Sequence, residues 1–170
     1  MDLNRKTVAI LIALGVCGRL IPHPWNFTPM MAVAFYAGAK SEKLRLAILV
    51  TVLTLLISDA ILGFYSGMWY VYAASLVPIF FGRFLARGNE VGSIAAAAIC
   101  SSLSFFVLTN FAVWAVGSLY PHTASGLTTC FTAAIPFYRN QVFGDAFYTI
   151  ALFGGEWLLQ RLLQPATRTA

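Results

Sequence analysis

The sequence predicts an all-α membrane protein, a bundle of about six transmembrane helices with one additional short helix that is interfacial or re-entrant. Of its 170 residues, 59% are hydrophobic and only 10% are charged, whereas a soluble domain carries about 25% charged residues. The apolar residues form long runs separated by short polar segments. At roughly 20 residues per span, a chain of this length holds about five to seven helices. We therefore expect residues 1–170 to form a single transmembrane domain.

Proline residues bound the first two predicted helices. The first covers 7–20 and ends before Pro22, because proline lacks an amide donor and restricts the residue before it. No clear cleavage pattern of a secretory signal follows, so we expect a membrane helix here. The second covers 28–40, with Thr28 as the N-cap and Pro29 at the first helical position. It is short for a span and is predicted to be either a thin, protein-buried helix or a re-entrant one.

The next three helices are predicted from longer apolar runs. The third covers 44–65 and ends at the turn that contains Gly67. The fourth covers 68–84 and passes through Pro78. The fifth, 91–117, carries no charge and is rich in small residues, which permit close packing between membrane helices.

The C-terminal part of the chain divides less clearly. The segment 123–137 is rich in hydroxyl side chains and ends near Pro136. Because it is short and polar for a span, it is predicted to be an interfacial or re-entrant helix on the outer side. A final helix is predicted over 141–163, followed by Pro165.

The distribution of basic residues predicts the orientation in the membrane. Cytoplasmic loops carry an excess of lysine and arginine. With six spans and a cytoplasmic N-terminus, nine basic residues face the cytoplasm and only Arg19 and Arg139 face outward. We therefore expect a protein of the cytoplasmic (inner) membrane with both termini cytoplasmic, and we attribute the net charge of +5 to topology rather than to nucleic-acid binding. The nine cytoplasmic residues are Arg5, Lys6, Lys40, Lys43, Arg45, Arg83, Arg87, Arg161 and Arg168.

Polar residues of several helices are predicted to lie in the outer half of the membrane. At about 1.5 Å per residue, Asp59, Asn110 and Asp145 all fall toward that side, where Arg19 and Arg139 also lie. A charge at the bilayer centre costs roughly 2.5 to 3.5 kcal/mol, so such residues face the bundle interior and find partners. Either arginine paired with either aspartate satisfies this requirement.

Further polar and aromatic residues occur in the predicted outer loops. They are His23, Trp25, Asn26 and His122. With Asp59, Asn110, Arg139 and Asp145 they form a candidate site for a small ligand with polar groups and an apolar body. The alternative is that these residues are interfacial anchors, structural ion pairs and an aromatic belt. We expect neither a metal nor a cofactor, because no third ligand accompanies the two histidines.

Two other features have both a functional and a structural interpretation. Ala9 and Ala13 are small residues four apart on the first helix, which allows another helix to approach closely. That helix belongs either to a partner or to the same bundle. Glu156 lies in the inner half of the last helix, where it either pairs with Arg161 or handles a proton.

Several sequence segments resemble a known family. These segments are RLIPHPWNFTP at 19–29, SDAILG at 58–63, TNFAVW at 109–114, YPHT at 120–123 and FGD at 143–145. Together they resemble an uncharacterised bacterial family of multi-pass membrane proteins that is labelled a transport protein. That family is similar to the substrate-binding S components of energy-coupling factor (ECF) vitamin transporters. The resemblance implies six helices with cytoplasmic ends and capture of a vitamin-like nutrient from outside. It also implies docking of the Ala9 and Ala13 face on a transmembrane coupling subunit driven by ATPases.

Three classes of function remain open from the sequence. The preferred one is a membrane transport protein that captures a small nutrient and is not an enzyme. The chain has no phosphate-binding loop of the Gly-x-x-x-x-Gly-Lys-Ser/Thr type, so any ATP-driven step requires a partner. The second class is a non-transporting accessory or assembly subunit of a larger membrane complex. The third is an intramembrane enzyme that uses Asp59 and Asp145 as an acid and base pair.

Overall fold

The computed structural model describes residues 3–86 and 90–163, and over these residues the chain is helical with no strand. The all-α fold class is therefore confirmed. Two of the predicted cytoplasmic arginines, Arg87 and Arg168, lie outside the described residues. The helices are α1 Arg5–Leu20, α2 Met30–Lys40, α3 Leu44–Leu62, α4 Met68–Leu85, α5 Val91–Val116, α6 Ala124–Thr149, a π-helical turn Ile150–Gly154 and α7 Gly155–Leu163.

Three of these helices are long and apolar enough to cross a membrane, rather than the six predicted. They are α3, α4 and α5. The others fall short for different reasons: α1 has 16 residues, α2 has 11, and α6 contains many hydroxyl and amide side chains. Length and composition alone therefore indicate a membrane protein but do not establish six spans.

The predicted separation of 123–137 from 141–163 is wrong. The chain runs through Pro136 as the single helix α6 and continues into the π-helical turn and α7. Proline lacks only one amide donor, and a helix packed among other helices tolerates that loss. Pro78 lies inside α4 in the same way.

The short helix α2 forms the centre of the bundle. Its residues from Met30 to Ala39 are all buried, and its backbone packs against α1, α3, α4, α5, α6 and the π-helical turn. Glycines make this packing possible, because a Cβ on Gly38 would meet the backbone carbonyl of Ile79 and a Cβ on Gly82 would meet that of Phe35. The segment 28–40 was predicted to be either a protein-buried or a re-entrant helix, and the structure shows a helix buried by its neighbours.

The connections reverse the chain direction, so that two ends of the bundle can be distinguished. At one end the last turn of α1 meets the first turn of α2 and the first turns of α4, around a cavity. We call this the cavity end. At the opposite end Lys40 of α2 forms an ion pair with Glu156 of α7, and Arg83 of α4 donates to the carbonyl of Ser41. We call this the basic end.

Candidate ligand-binding site

A cavity of about 340 Å³ lies at the cavity end and is lined by residues of each of the helices α1 to α6. Ligand pockets usually have volumes of roughly 300–1,000 Å³, so the space suits a small organic molecule. Exposed lining residues at its edge, Asn26 and Tyr65, lie in the loops that precede α2 and α4. The polar lining residues are Arg19, Asn26, Thr28, Tyr65, Tyr70, Ser75, Thr109, Asn110, Tyr138, Gln141 and Asp145.

An arginine in the wall of the cavity is fully engaged by α3. Nη2 of Arg19 lies 2.6 Å from Oδ1 of Asp59, and Nη1 donates to the hydroxyl of Ser58. The hydroxyl of Tyr72 donates to the other carboxylate oxygen at 2.8 Å. The Asp59 side chain is only 1% exposed. Such a buried carboxylate requires this pairing, and the two charges cancel within the wall.

A second carboxylate, on α6, is held by neutral groups. The hydroxyl of Ser102 on α5 donates to Oδ2 of Asp145 at 2.6 Å. The same hydroxyl oxygen accepts from Nε2 of Gln141, which also donates to the Ser102 carbonyl. Asp145 is 3% exposed, and its Oδ1 has no hydrogen-bond partner among the described residues. The chain from Gln141 through Ser102 orients this carboxylate and leaves one oxygen unsatisfied.

A glycine lets the loop before α2 close over this part of α6. A Cβ on Gly144 would stand 3.0 Å from Cα of Phe27. Within that loop Asn26 adopts a φ of 63°, a left-handed conformation that asparagine tolerates better than most residues. Trp25 stacks on the ring of Phe137, with centroids 5.4 Å apart. The loop is therefore seated on α6 at the edge of the cavity.

The structure brings some of the predicted site residues together in the cavity. Asn26, Asn110 and Asp145 line it. Asp59 is not among the lining residues and adjoins the cavity through Arg19. Trp25 is 72% exposed and reaches the cavity only through its stacking on Phe137, which is a lining residue.

The other predicted site residues lie outside the cavity lining. The ring of His23 bonds to the carbonyl of Pro24, and the ring of His122 to the carbonyl of Gly117. Arg139 is exposed on α6. Each histidine therefore bonds to the backbone of its own loop, which is typical of a residue that stabilises the loop conformation. Among the described residues no cluster of His, Cys, Asp and Glu could hold a metal ion.

Several residues at the cavity were not predicted from the sequence. Ser102 had been grouped with small residues that permit helix packing, yet it holds Asp145. Gln141 lies four residues before Asp145 on α6, and side chains at that spacing share a face of a helix. That spacing was a usable signal. No comparable signal marks Tyr72, because its link to Asp59 crosses between two helices.

The predicted partner of Glu156 is wrong. Glu156 pairs with Lys40 rather than with Arg161, whose guanidinium lies 4.1 Å from the ring centre of Trp157. Lys40 also lies over the rings of Tyr36 and Phe153. Phe153 belongs to the π-helical turn, which inserts one residue into the repeat and so turns α7 relative to α6.

The small residues of α1 fall on two opposite faces. Gly15 and Gly18 are buried, and a Cβ on them would meet Thr54 and Pro29 respectively. Ala9 and Ala13 are exposed. Among the residues that the structure describes, these two alanines therefore do not pack within the bundle, which was one of the two predicted alternatives.

Comparison with known proteins gives a family but no function. No curated protein and no solved structure matches the chain. The model of one family, described as a family of unknown function (DUF6580), matches residues 2–167. This match covers nearly the whole sequence, and it carries no statement about transport. The chain therefore belongs to DUF6580, a family of unknown function.

Proposed function

We propose that the chain is a six-helix protein of the cytoplasmic membrane with both termini in the cytoplasm. The apolar helices α3, α4 and α5 support spanning directly. The helix α2 is surrounded by other helices and needs neither the length nor the apolar surface of a lipid-exposed span. The seven described basic residues predicted to face the cytoplasm lie at or near helix termini on the side away from the cavity, which fits the positive-inside rule.

Within this topology, we propose that the protein captures a small, vitamin-like nutrient from outside. The single observation that carries the proposal is the cavity of about 340 Å³ at the end opposite the basic residues. Its lining mixes aromatic rings with polar groups already held in place by hydrogen bonds, as in sites that orient a small ligand. A structural cluster of anchors would not require an open space of this size.

The exposed face of α1 supports a second element of the proposal, a transmembrane partner. Ala9 and Ala13 lie on a side of α1 that none of the described helices covers. Small residues four apart permit a partner helix to approach closely in the membrane. We propose that this partner is a coupling subunit with ATPases, as in ECF transporters, so that the chain acts as an S-component-like subunit.

The two other classes of function have less support. An accessory subunit would also use the α1 face, but it would not need the cavity. An enzyme with Asp59 and Asp145 as acid and base would need both carboxylates at one substrate. Instead Asp59 is bound on both oxygens by Arg19 and Tyr72, and only Asp145 lines the cavity.

Native mass spectrometry of the protein, mildly solubilised from its own host membrane, tests the proposal. We expect one small molecule retained per chain, with or without ATPase subunits. The matched variants are Ala134→Phe and Ala133→Phe, because Ala134 lines the cavity and its neighbour is exposed on the outside of α6. The first should lose the ligand and the second should keep it. A ligand-free protein in a large complex would instead favour the accessory subunit.

The partner is tested separately by replacing Ala9 and Ala13 with leucine. We expect loss of the co-purified subunits and retention of the small ligand. The native residue Leu14 is exposed on α1. A large apolar side chain on the surface of this helix is therefore compatible with folding. If the doubly substituted protein keeps its co-purified subunits, the proposed contact between the α1 face and a partner is wrong.

A further inference from the structure

The charges around the cavity do not balance. Arg19 is the only basic residue among the lining residues, and its guanidinium is neutralised by Asp59. Asp145 has no cationic partner among the described residues, and it is 3% exposed. A buried charge is costly unless it is paired. Asp145 also lines the cavity, so a positive charge bound there can reach it.

The geometry of Asp145 also specifies where that charge belongs. Ser102 donates to Oδ2, and Gln141 holds the hydroxyl of Ser102, so the hydrogen bond that orients the carboxyl group is itself supported by a second one. Asp145 lines the cavity, and its Oδ1 is buried and has no donor among the described residues. A positive charge in the cavity therefore belongs beside the Asp145 side chain.

The rest of the lining indicates an organic rather than a metal cation. A hard metal ion would need several oxygen ligands, and no group of three acidic, histidine or cysteine side chains occurs among the described residues. Instead Phe105, Phe106, Tyr138 and Met31 line the space. Aromatic faces attract organic cations and also cover an apolar body.

We propose that the cavity takes an organic monocation, whose protonated nitrogen pairs with the carboxyl group of Asp145 and whose apolar part lies against the aromatic rings. This inference rests on the proposed function of the same cavity and adds the chemical class of the ligand. Asp145 acts as the counter-ion. Arg19 and Asp59 form a neutral wall and contribute no net charge to recognition.

The test uses three probes of nearly identical shape, namely benzamidinium, benzamide and benzoate. Their binding is measured by titration calorimetry with the full chain in phosphatidylcholine nanodiscs, and empty nanodiscs correct for partition into lipid. Because a hydrogen bond to a charged group contributes about 1.5–3 kcal/mol, we expect benzamidinium to bind roughly tenfold or more tightly than benzamide. Benzoate should show no binding.

Two isosteric variants locate the effect. Asp145→Asn should bring the ratio between benzamidinium and benzamide close to one. Glu90→Gln makes the same charge change at the other end of the bundle, where Glu90 is exposed before α5, and should leave the ratio unchanged. If the Asp145 variant does not fold, Ser102→Ala removes the donor that orients the carboxyl group and should lower the ratio, so an unchanged ratio in this variant counts against Asp145 as the counter-ion.

The outcomes separate this inference from the proposed function. A preference of the unmodified protein for benzamide or benzoate, or no binding of any probe, overturns the organic-cation assignment. The assignment is also overturned if Asp145→Asn still binds benzamidinium more tightly than benzamide by the same ratio. Capture of a small molecule is judged by the mass spectrometry of host-membrane protein, and a neutral or anionic molecule found there would uphold capture while overturning the cation.

Discussion

The ion pair between Arg19 and Asp59 should make a large contribution to the stability of the bundle. The Arg19 side chain is 13% exposed and the Asp59 side chain 1%, with 2.6 Å between Nη2 and Oδ1. Removing one partner of a buried pair leaves an uncompensated charge and costs about 3–5 kcal/mol. We therefore expect Arg19→Met and Asp59→Leu each to lower the free energy of unfolding by about 3–5 kcal/mol.

The double variant distinguishes an unpaired charge from lost packing. With both residues replaced by apolar side chains of similar length, no charge remains buried, although the hydroxyl of Tyr72 then loses its acceptor. An apolar replacement of a buried pair is often neutral or stabilising. We therefore expect the double variant to be more stable than either single variant.

The measurement is reversible unfolding by dodecyl sulfate from mixed micelles, followed by tryptophan fluorescence. Arg139→Met is the control, because Arg139 is an exposed arginine on α6, and its replacement should change the free energy by no more than about 0.5 kcal/mol. If the losses of the two single variants simply add in the double variant, the two side chains are not coupled and the argument from a buried pair is refuted.

Two further predictions concern packing and the basic end. Gly82→Ala should destabilise by about 1–3 kcal/mol or more, because the added Cβ meets the α2 backbone, whereas Gly92→Ala meets open space and should be neutral or stabilising in thermal unfolding. A similar melting temperature for the two variants would contradict the close approach of α2 and α4. Glu156→Gln removes the ion pair with Lys40 and should lower the free energy of unfolding by about 1–3 kcal/mol. Arg161→Gln should lower it by less than about 1 kcal/mol. Equal losses in unfolding experiments would favour the pair between Glu156 and Arg161.

The sequence by itself determined the helical fold class and the depth of the polar residues. Asp59, Asn110 and Asp145 were expected near one end of the bundle, and the structure brings two of them into one cavity and the third beside it. This inference works because an α-helix rises by a constant 1.5 Å per residue, so that the position along the chain gives the position along the axis. The same arithmetic gave four candidate ion pairs and no way to choose among them.

Only the tertiary structure decided which side chains meet. The partner of a residue depends on the rotation of its helix and on the identity of the neighbouring helix, and both follow from packing between segments distant in sequence. Asp59 thus pairs with Arg19, Asp145 with Ser102, and Glu156 with Lys40. The continuation of α6 through Pro136 also depends on the neighbouring helices. Proline lacks an amide donor, and packing around the helix decides whether that loss is compensated.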